Sequence, residues 1–596
     1  MKEKVNLKID NLSVSVDAGT TILEAAKMIN VRIPTLCHHE DLCVAGNCRV
    51  CVVEQSGADR LLPACASPVS EGMEIHTNSL KVRTARKQII ELLISEHRAE
   101  CTTCYKNGNC ELQALTNEYI VGESGYIPLV PLKGYTVDEF SPSIIKDDSK
   151  CIRCQRCVRT CEQIQNVGAL TVAYKGGNMK VSTFFDKPIY EVVCTNCGQC
   201  VNRCPTGALT EKTYINEVWD AIYDPEKFVV VQTAPAVRIA LGEALDMEPG
   251  KIVTGKMVAA LRRIGFNSVL DTDFSADLTI IEEGNELLQR LKKALKDKDP
   301  NVKLPMTTSC SPGWIKFIEH TFPNFLEHVS TAKSPQQMFG ALAKTFYANK
   351  IGVDPAKMVS VSVMPCTAKK FEANRPEMRA SGYQDVDYVV TTRELALMVK
   401  QAGIDFASLP DDDYDSIMGE SSGAGVIFGA TGGVMEAALR TVYEVVTGRE
   451  VPFDGLNIMP VRGMENVREA SIKIEDPLPE WDFLDGVEVK TCVAHGLSNA
   501  KKVMESVRDG KADYHFIEIM ACPGGCLGGG GQPLPTSLEI RQKRAEAIYR
   551  EDAGKKIRKS HENPEIIQLY DEFLIEPLGH KSHELLHTTY TTRERH

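Results

Sequence analysis

The sequence predicts a large α/β domain, with parallel sheets flanked by helices, preceded by small cysteine-rich α+β modules. Three observations carry this. Of 21 cysteines in 596 residues, sixteen lie in the first 204 residues, in closely spaced groups, and five in the remaining 392. The first residues alternate apolar and polar, VNLKIDNLSVSV, which is the period of a half-buried strand pair. From about residue 210, near-continuous apolar runs (KFVVVQTAP, MVSVSVMPC, DYVVTT, YHFIEIMAC) alternate with helical stretches such as SPQQMFGALAKTFYANK and TGGVMEAALRTVYEVV. Such runs suit strands buried on both faces.

Composition narrows the class. With 43% hydrophobic and 25% charged residues the chain is ordinary for globular protein, and its net charge of −12 sets nucleic acid aside as a partner. MKEKVNLKIDNLSVSVDAGTT holds no uninterrupted apolar core of a secretory signal, and no run of about 18 apolar residues suggests a membrane span. The expected compartment is the cytoplasm. There thiols stay reduced, so grouped cysteines favour metal over disulfides.

The front reads in order as four ligand sets. After the hairpin, TTILEAAKMINV is an amphipathic helix with Thr20 or Thr21 as N-cap. Cys37, Cys48, Cys51 and Cys65 follow with spacing C-x10-C-x2-C-x13-C, and Cys43 is left over as a loop or packing residue. A [2Fe–2S] cluster or a structural zinc ion would use such a set. His97, Cys101, Cys104 and Cys110 form H-x3-C-x2-C-x5-C, a tetrahedral donor set for zinc or a cubane. CIRCQRCVRTC and CTNCGQCVNRCP then repeat C-x2-C-x2-C-x3-C, the bacterial two-cluster ferredoxin run, in which the fourth cysteine of each run serves the other cluster. The sets are therefore Cys151, Cys154, Cys157 with Cys204, and Cys194, Cys197, Cys200 with Cys161. The expected segments are 1–79, 80–125, 126–212 and 213–596.

In the back, ligands gather beyond the carboxyl ends of strands in open α/β sheets. Two apolar runs end in Cys366 and Cys522, and Cys310 stands before a Pro–Gly turn in TTSCSPGW. GAGVIFGATGG lacks both G-K-[ST] and G-x-G-x-x-G, so it reads as close backbone packing around a site. In EEGNELLQR, Glu283 and Glu286 share a helix face with Arg290 one turn on; by itself this is a solvated charged face.

TSCSPGW (308–314), MPCTAKKFE (364–372) and EIMACPGGCLGG (518–529) resemble the three signature segments of [FeFe]-hydrogenases. The first two front sets resemble the [2Fe–2S] domain and the one-histidine, three-cysteine [4Fe–4S] site of complex I's iron–sulfur subunit. The resemblance implies a catalytic domain holding an H-cluster between two lobes, behind ferredoxin-like domains carrying one [2Fe–2S] and three [4Fe–4S] clusters. The H-cluster is a [4Fe–4S] cubane bridged by cysteine to a di-iron unit with CO, cyanide and azadithiolate, and its reaction is H2 ⇌ 2H+ + 2e−. By motif, Cys366, Cys522 and Cys526 ligate the cubane, with Cys526 bridging. Lys369 bonds a cyanide; Met364, Met520, Ala234, Pro235, Gln336 and Phe428 line the di-iron site. Arg290, Glu286, Ser330, Glu283 and Cys310 form a proton path. One departure stands out: the family has two adjacent cysteines before Pro–Gly–Trp, the first a proton relay and the second a ligand, and here the second is Ser311. Either Ser311 supplies an oxygen ligand, or Cys310 becomes the ligand, or the cubane site is altered. The implied electron partners are ferredoxin or flavin- and NAD(P)-binding hydrogenase subunits in a hetero-oligomer. Two other classes share parts of the pattern: a non-catalytic electron-conduit subunit, and a hydrogenase-related iron–sulfur assembly protein.

Overall fold

The computed structural model describes residues 3–122, 125–127 and 136–595. The opening alternation forms β1 (Lys4–Ile9) and β2 (Leu12–Asp17), antiparallel with Ile9 opposite Leu12. Asp10 and Asn11 make the two-residue turn with φ of 46° and 67°, the left-handed region these residues tolerate best after glycine. Strands β3 (Val52–Gln55), β4 (Leu62–Pro63) and β5 (Glu74–His76) complete a sheet in the order β2-β1-β5-β3-β4. The Ile22–Met28 helix starts at Thr21, whose hydroxyl and the Glu24 side chain form a reciprocal capping box.

Beyond the Leu80–Ser95 and Glu111–Glu118 helices lie β6 (Val137–Asp138), β7 (Ile144–Asp147), the antiparallel pair β8 (Thr171–Ala173) and β9 (Lys180–Ser182), and β10 (Leu209–Glu211). The two repeated cysteine runs have the same backbone. Arg153 and Asn196, one residue before the second cysteine of each run, have φ of 55° and 57°; Gln155 and Gly198, one residue after it, have φ of 61° and 70°. A short helix follows each, Arg156–Arg159 and Gln199–Arg203. The expected boundary at 125/126 falls in a stretch, 123–135, of which only 125–127 are described.

The chain forms two compact units. One comprises residues 1–163, 168–192 and 203–210; the other comprises 164–167, 193–202 and 211–596. The second unit holds β11 (Phe228–Thr233), β12 (Ser268–Asp271), β13 (Met306–Thr307), β14 (Met358–Met364), β15 (Tyr388–Thr391), β16 (Val467–Lys473), β17 (Glu488–His495) and β18 (Phe516–Met520). They build two four-stranded sheets. The first, β12-β11-β14-β15, is parallel throughout. The second, β13-β18-β17-β16, is parallel except for its edge strand β16. All seven residues of β14 and all five of β18 are buried, as their unbroken apolar runs require. The α/β expectation for this part is therefore met.

C-terminal helices cover this unit: Leu538–Gly554 packs on the Gly423–Ile427 helix, Pro564–Leu569 on Thr272–Leu291, and His580–Leu586 on Pro335–Leu342. No helix among the described residues is long and apolar enough to cross a membrane.

Candidate active site

In the first unit, the structure gathers the expected thiols set by set. Cys37 Sγ accepts from the Cys48 N–H at 3.5 Å, and Cys51 and Cys65 Sγ lie 3.4 Å apart. Cys65 also lies within hydrogen-bonding influence of Cys37, so the four converge. Cys43 is apart from them, exposed, with Gln163 Nε2 donating to its sulfur at 2.8 Å. Cys101, Cys104 and Cys110 are close enough to interact electrostatically. His97 is buried, and its Nδ1 is held 3.0 Å from the Lys150 carbonyl. That contact fixes the tautomer with Nε2 free of the proton, which is the usual outer-sphere arrangement of a metal-binding histidine. Cys151, Cys154, Cys157 and Cys204 line one cavity of about 420 Å³. Cys161 belongs to the first unit, and Cys194, Cys197 and Cys200 belong to the second.

The second unit holds a largely apolar cavity with about 780 Å³ of space. Its walls come from the carboxyl ends of strands in both sheets. Ala234 and Pro235 follow β11, Met364 and Cys366 end β14, Cys310 and Ser311 follow β13, and Met520 and Cys522 end β18. Gln336, Lys369, Phe428 and Cys526 complete the expected set, so every residue named for the di-iron surroundings faces one space. Cys197, a member of the same unit, also lines it.

Several contacts fix this lining. Lys369 Nζ donates to Glu372 Oε2 at 2.9 Å and to the Cys310 carbonyl at 3.2 Å. Glu372 also accepts from Ser334 Oγ at 2.9 Å and Gln336 Nε2 at 3.2 Å, so one carboxylate aims two cavity residues. The sequence reading missed Glu372, although its position one helical turn after Lys369 in MPCTAKKFE was a usable signal. Buried Glu518 accepts from the Gly432 and Met435 N–H groups at 2.6 and 2.8 Å, tying β18 to the start of the Gly433–Thr447 helix. The glycine-rich turn is needed for close approach. Gly525 has φ of +77°, and a Cβ there would lie 2.8 Å from the Thr431 nitrogen; at Gly529 a Cβ would meet the Pro365 carbonyl oxygen at 2.1 Å.

The donor set fits an iron–sulfur cubane attached to a second group. Cys366, Cys522 and Cys526 interact with one another, and burial raises the pKa of each thiol, that of Cys526 to about 12. Thiols this deep lose their protons when a metal takes their place. The fourth position differs. Ser311 Oγ accepts from the Ala521 N–H at 3.2 Å, whereas Cys310 is half-buried at the cavity and interacts first with Glu283, then with Lys369, Glu518 and Cys526.

From Glu283 a polar chain leads outward along the Thr272–Leu291 helix. Burial, reinforced by Glu286, raises the Glu283 carboxyl to about 8; Ser330 and the Ser309 N–H oppose this only weakly. Neither Glu283 oxygen has a hydrogen bond of normal geometry among the described residues. Glu286 accepts from Ser330 Oγ at 2.9 Å and the Thr331 N–H at 3.0 Å, and pairs with Arg290 at 2.6 Å. Relative exposure rises from 1% at Glu283 to 9% at Glu286, and the Arg290 side chain reaches 15%. The charged face that the sequence alone would have left in solvent is thus mostly inside.

Comparison with known proteins accounts for nearly the whole chain. Residues 227–530 match the family described as iron only hydrogenase large subunit, C-terminal domain, and 538–593 match iron hydrogenase small subunit. In front, 2–80 match a 2Fe-2S iron-sulfur cluster binding domain. Residues 86–124 match the NADH-ubiquinone oxidoreductase-G iron-sulfur binding region, and 141–210 the ferredoxin-like domain of NADH-quinone oxidoreductase subunit 3. The NADP-reducing hydrogenase subunit HndD of Solidesulfovibrio fructosivorans is 52% identical over 99% of both chains. Iron hydrogenase 1 of Clostridium pasteurianum is 40% identical over 98% of this chain and 99% of its own. A solved [FeFe]-hydrogenase of Chlamydomonas reinhardtii, 44% identical, superposes with a TM-score of 0.58 over 64% of this chain and all of that one. The three signature segments around one cavity, the iron–sulfur modules in front of them and these full-length matches agree: the chain belongs to the [FeFe]-hydrogenase family, oxidises hydrogen and relays electrons through iron–sulfur clusters.

Proposed function

We propose that this chain is the catalytic subunit of a hetero-oligomeric hydrogenase whose electrons pass to NADP+ through flavin- and nucleotide-binding partner subunits. The observation that carries this is the 52% identity, over 99% of both chains, to a subunit of an NADP-reducing hydrogenase. No nucleotide fingerprint occurs in this sequence, so that step belongs to a partner. Direct reduction of a ferredoxin is the second reading, favoured by the ferredoxin-like run matched over 141–210. Purification of the native complex tests both. Co-purifying flavoprotein with H2-dependent NADP+ reduction supports the first; an isolated chain that reduces ferredoxin at full rate supports the second.

Cys366, Cys522 and Cys526 would hold the cubane, while Lys369, Gln336 and the two methionines would surround the di-iron unit. When bound, the H-cluster supplies the redox chemistry that splits and forms H2. The chain's own residues supply protons and exclude water. The apolar cavity wall, with Phe428, Met364 and Met520, keeps bulk water out and strengthens polar contacts inside. Glu283, protonated at neutral pH, is a donor beside Cys310. Ser330 stands between the two carboxyl groups, and Glu286 with Arg290 forms the outer end. Cys310 is the relay in this reading, because Glu283 is its foremost charged neighbour. In the front, one [2Fe–2S] and three [4Fe–4S] clusters on the four sets would carry electrons, with Cys161 and Cys204 exchanged between the two repeated runs. A compartment within the cytoplasm accords with this dependence on reduced thiols.

A further inference from the structure

Glu286 has a second buried connection, on the side away from Glu283. Thr331 Oγ1 lies 3.2 Å from Glu286 Oε2 and 2.8 Å from Nδ1 of His587. His587 is buried, and its Nε2 lies 3.0 Å from Glu282 Oε2. Glu282 also accepts from the Tyr570 hydroxyl and, at 2.9 Å, from the Leu578 N–H. Burial pushes the Glu282 carboxyl up, but these donors outweigh it and hold the pKa below the ordinary value. An anionic Glu282 requires that His587 Nε2 carry a proton, so Nδ1 is the position that changes. The other groups near the ring are His583, tilted at 47° with 4.5 Å between centroids, and Glu286 with its partner Arg290. The C-terminal segment is fastened here: Ala332 bridges His587, the Thr588 N–H donates to the Thr331 carbonyl at 2.8 Å, and Tyr590 OH donates to the Ser330 carbonyl at 2.7 Å.

We propose that Glu282, His587 and Thr331 form a proton-holding branch of the path, through which the C-terminal segment controls Glu286. The Thr331 hydroxyl has one proton and two acceptors. With neutral His587 it donates to Nδ1, and Glu286 is left with Ser330, the Thr331 N–H and Arg290. With protonated His587, Nδ1–H donates to Thr331 and the hydroxyl proton turns to Glu286. Transfer balances: Glu286 gains the hydroxyl proton, Thr331 regains one from Nδ1, and neutral His587 remains paired with Glu282. The carboxylate fixes the tautomer and stabilises the imidazolium, as in other buried carboxylate–histidine pairs. His587 and Thr331 are positioning residues, since neither faces the cavity.

This rests on Glu286 belonging to the proton path, and the test separates the two. H2 evolution by the matured full chain is measured with reduced methyl viologen across pH for Thr331→Val, His587→Gln, the double variant and Thr331→Ser. Each of Thr331→Val and His587→Gln cuts the hydrogen-bonded branch to Glu286, so the ratio of rates at about pH 6 and about pH 8 should fall roughly threefold or more in both. The double variant should lose no more than either alone, and Thr331→Ser should restore the ratio, because coupled residues are not additive. The infrared bands of CO and cyanide should not move. Thr331→Val keeps the backbone N–H to Glu286, so it remains informative if His587→Gln does not fold. Profiles that superpose on the unsubstituted enzyme, or losses that add, overturn the branch. Near-normal turnover in Glu286→Gln overturns the path itself.

Discussion

Glu286→Gln is the sharpest test of proton delivery. Glu286 Oε2 accepts from Ser330 and Thr331, while Oε1 faces Arg290 at 2.6 Å. A glutamine can keep its oxygen toward Ser330 and Thr331 and place its amide toward Arg290. The structural loss is then one charged hydrogen bond. Arg290 is left with the Glu327 and Val329 carbonyls, each at 3.0 Å. The pair is partly exposed, so the stability cost is about 1–2 kcal/mol, little for a chain this long. The chemical loss is larger, because an amide cannot take and give a proton. A positioned acid–base group contributes roughly 10²–10⁴-fold, or about 3–5 kcal/mol of barrier. Dye-linked H2 evolution and uptake on the matured enzyme, with infrared bands as the check on the cluster, should show this loss in both directions. Turnover within about threefold of the parent, with bands intact, would refute the path, since that is far below the effect of a general acid.

Glu283 is raised to about 8, so its contribution to stability is present below the unfolded value and is lost as pH climbs through about 8. The loss should reach about 5 kcal/mol, and Glu283→Gln should flatten the fall in melting temperature between acid and mildly alkaline pH; parallel curves would disprove it. Cys310→Ala should leave the cubane's paramagnetic resonance signal and stop turnover if Cys310 relays protons; a missing cubane would make Cys310 the ligand. Ser311→Cys should keep or raise cluster stability and shift the cubane's potential, because thiolate is the softer donor. Matured protein should hold about 20 iron atoms per chain, against about 14 if only the front clusters form; the lower figure without CO or cyanide bands would contradict the H-cluster assignment.

Features with local causes are legible in the chain alone. Four ligand sets are legible because each of their cores spans only a few tens of residues at most, and the repeated C-x2-C-x2-C-x3-C runs even share the same backbone angles. Strands β11, β14, β15 and β18 are legible because full burial demands unbroken apolar runs. The family followed from three short segments. Tertiary structure alone decided which distant residues meet. Cys310, Cys366 and Cys522 stand at the ends of β13, β14 and β18, strands of two different sheets, and no local pattern relates them. Glu283 and Glu286 look like a solvated face in sequence; folding buries them, and that burial raises Glu283. Glu372 meeting Ser334 and Gln336 as well as Lys369, and His587 reaching Glu282 across 305 positions, depend on hydrogen-bond geometry that only packing supplies. Spacing specifies what a segment can bind; side chains far apart in sequence acquire a shared chemistry only when folding removes the water between them.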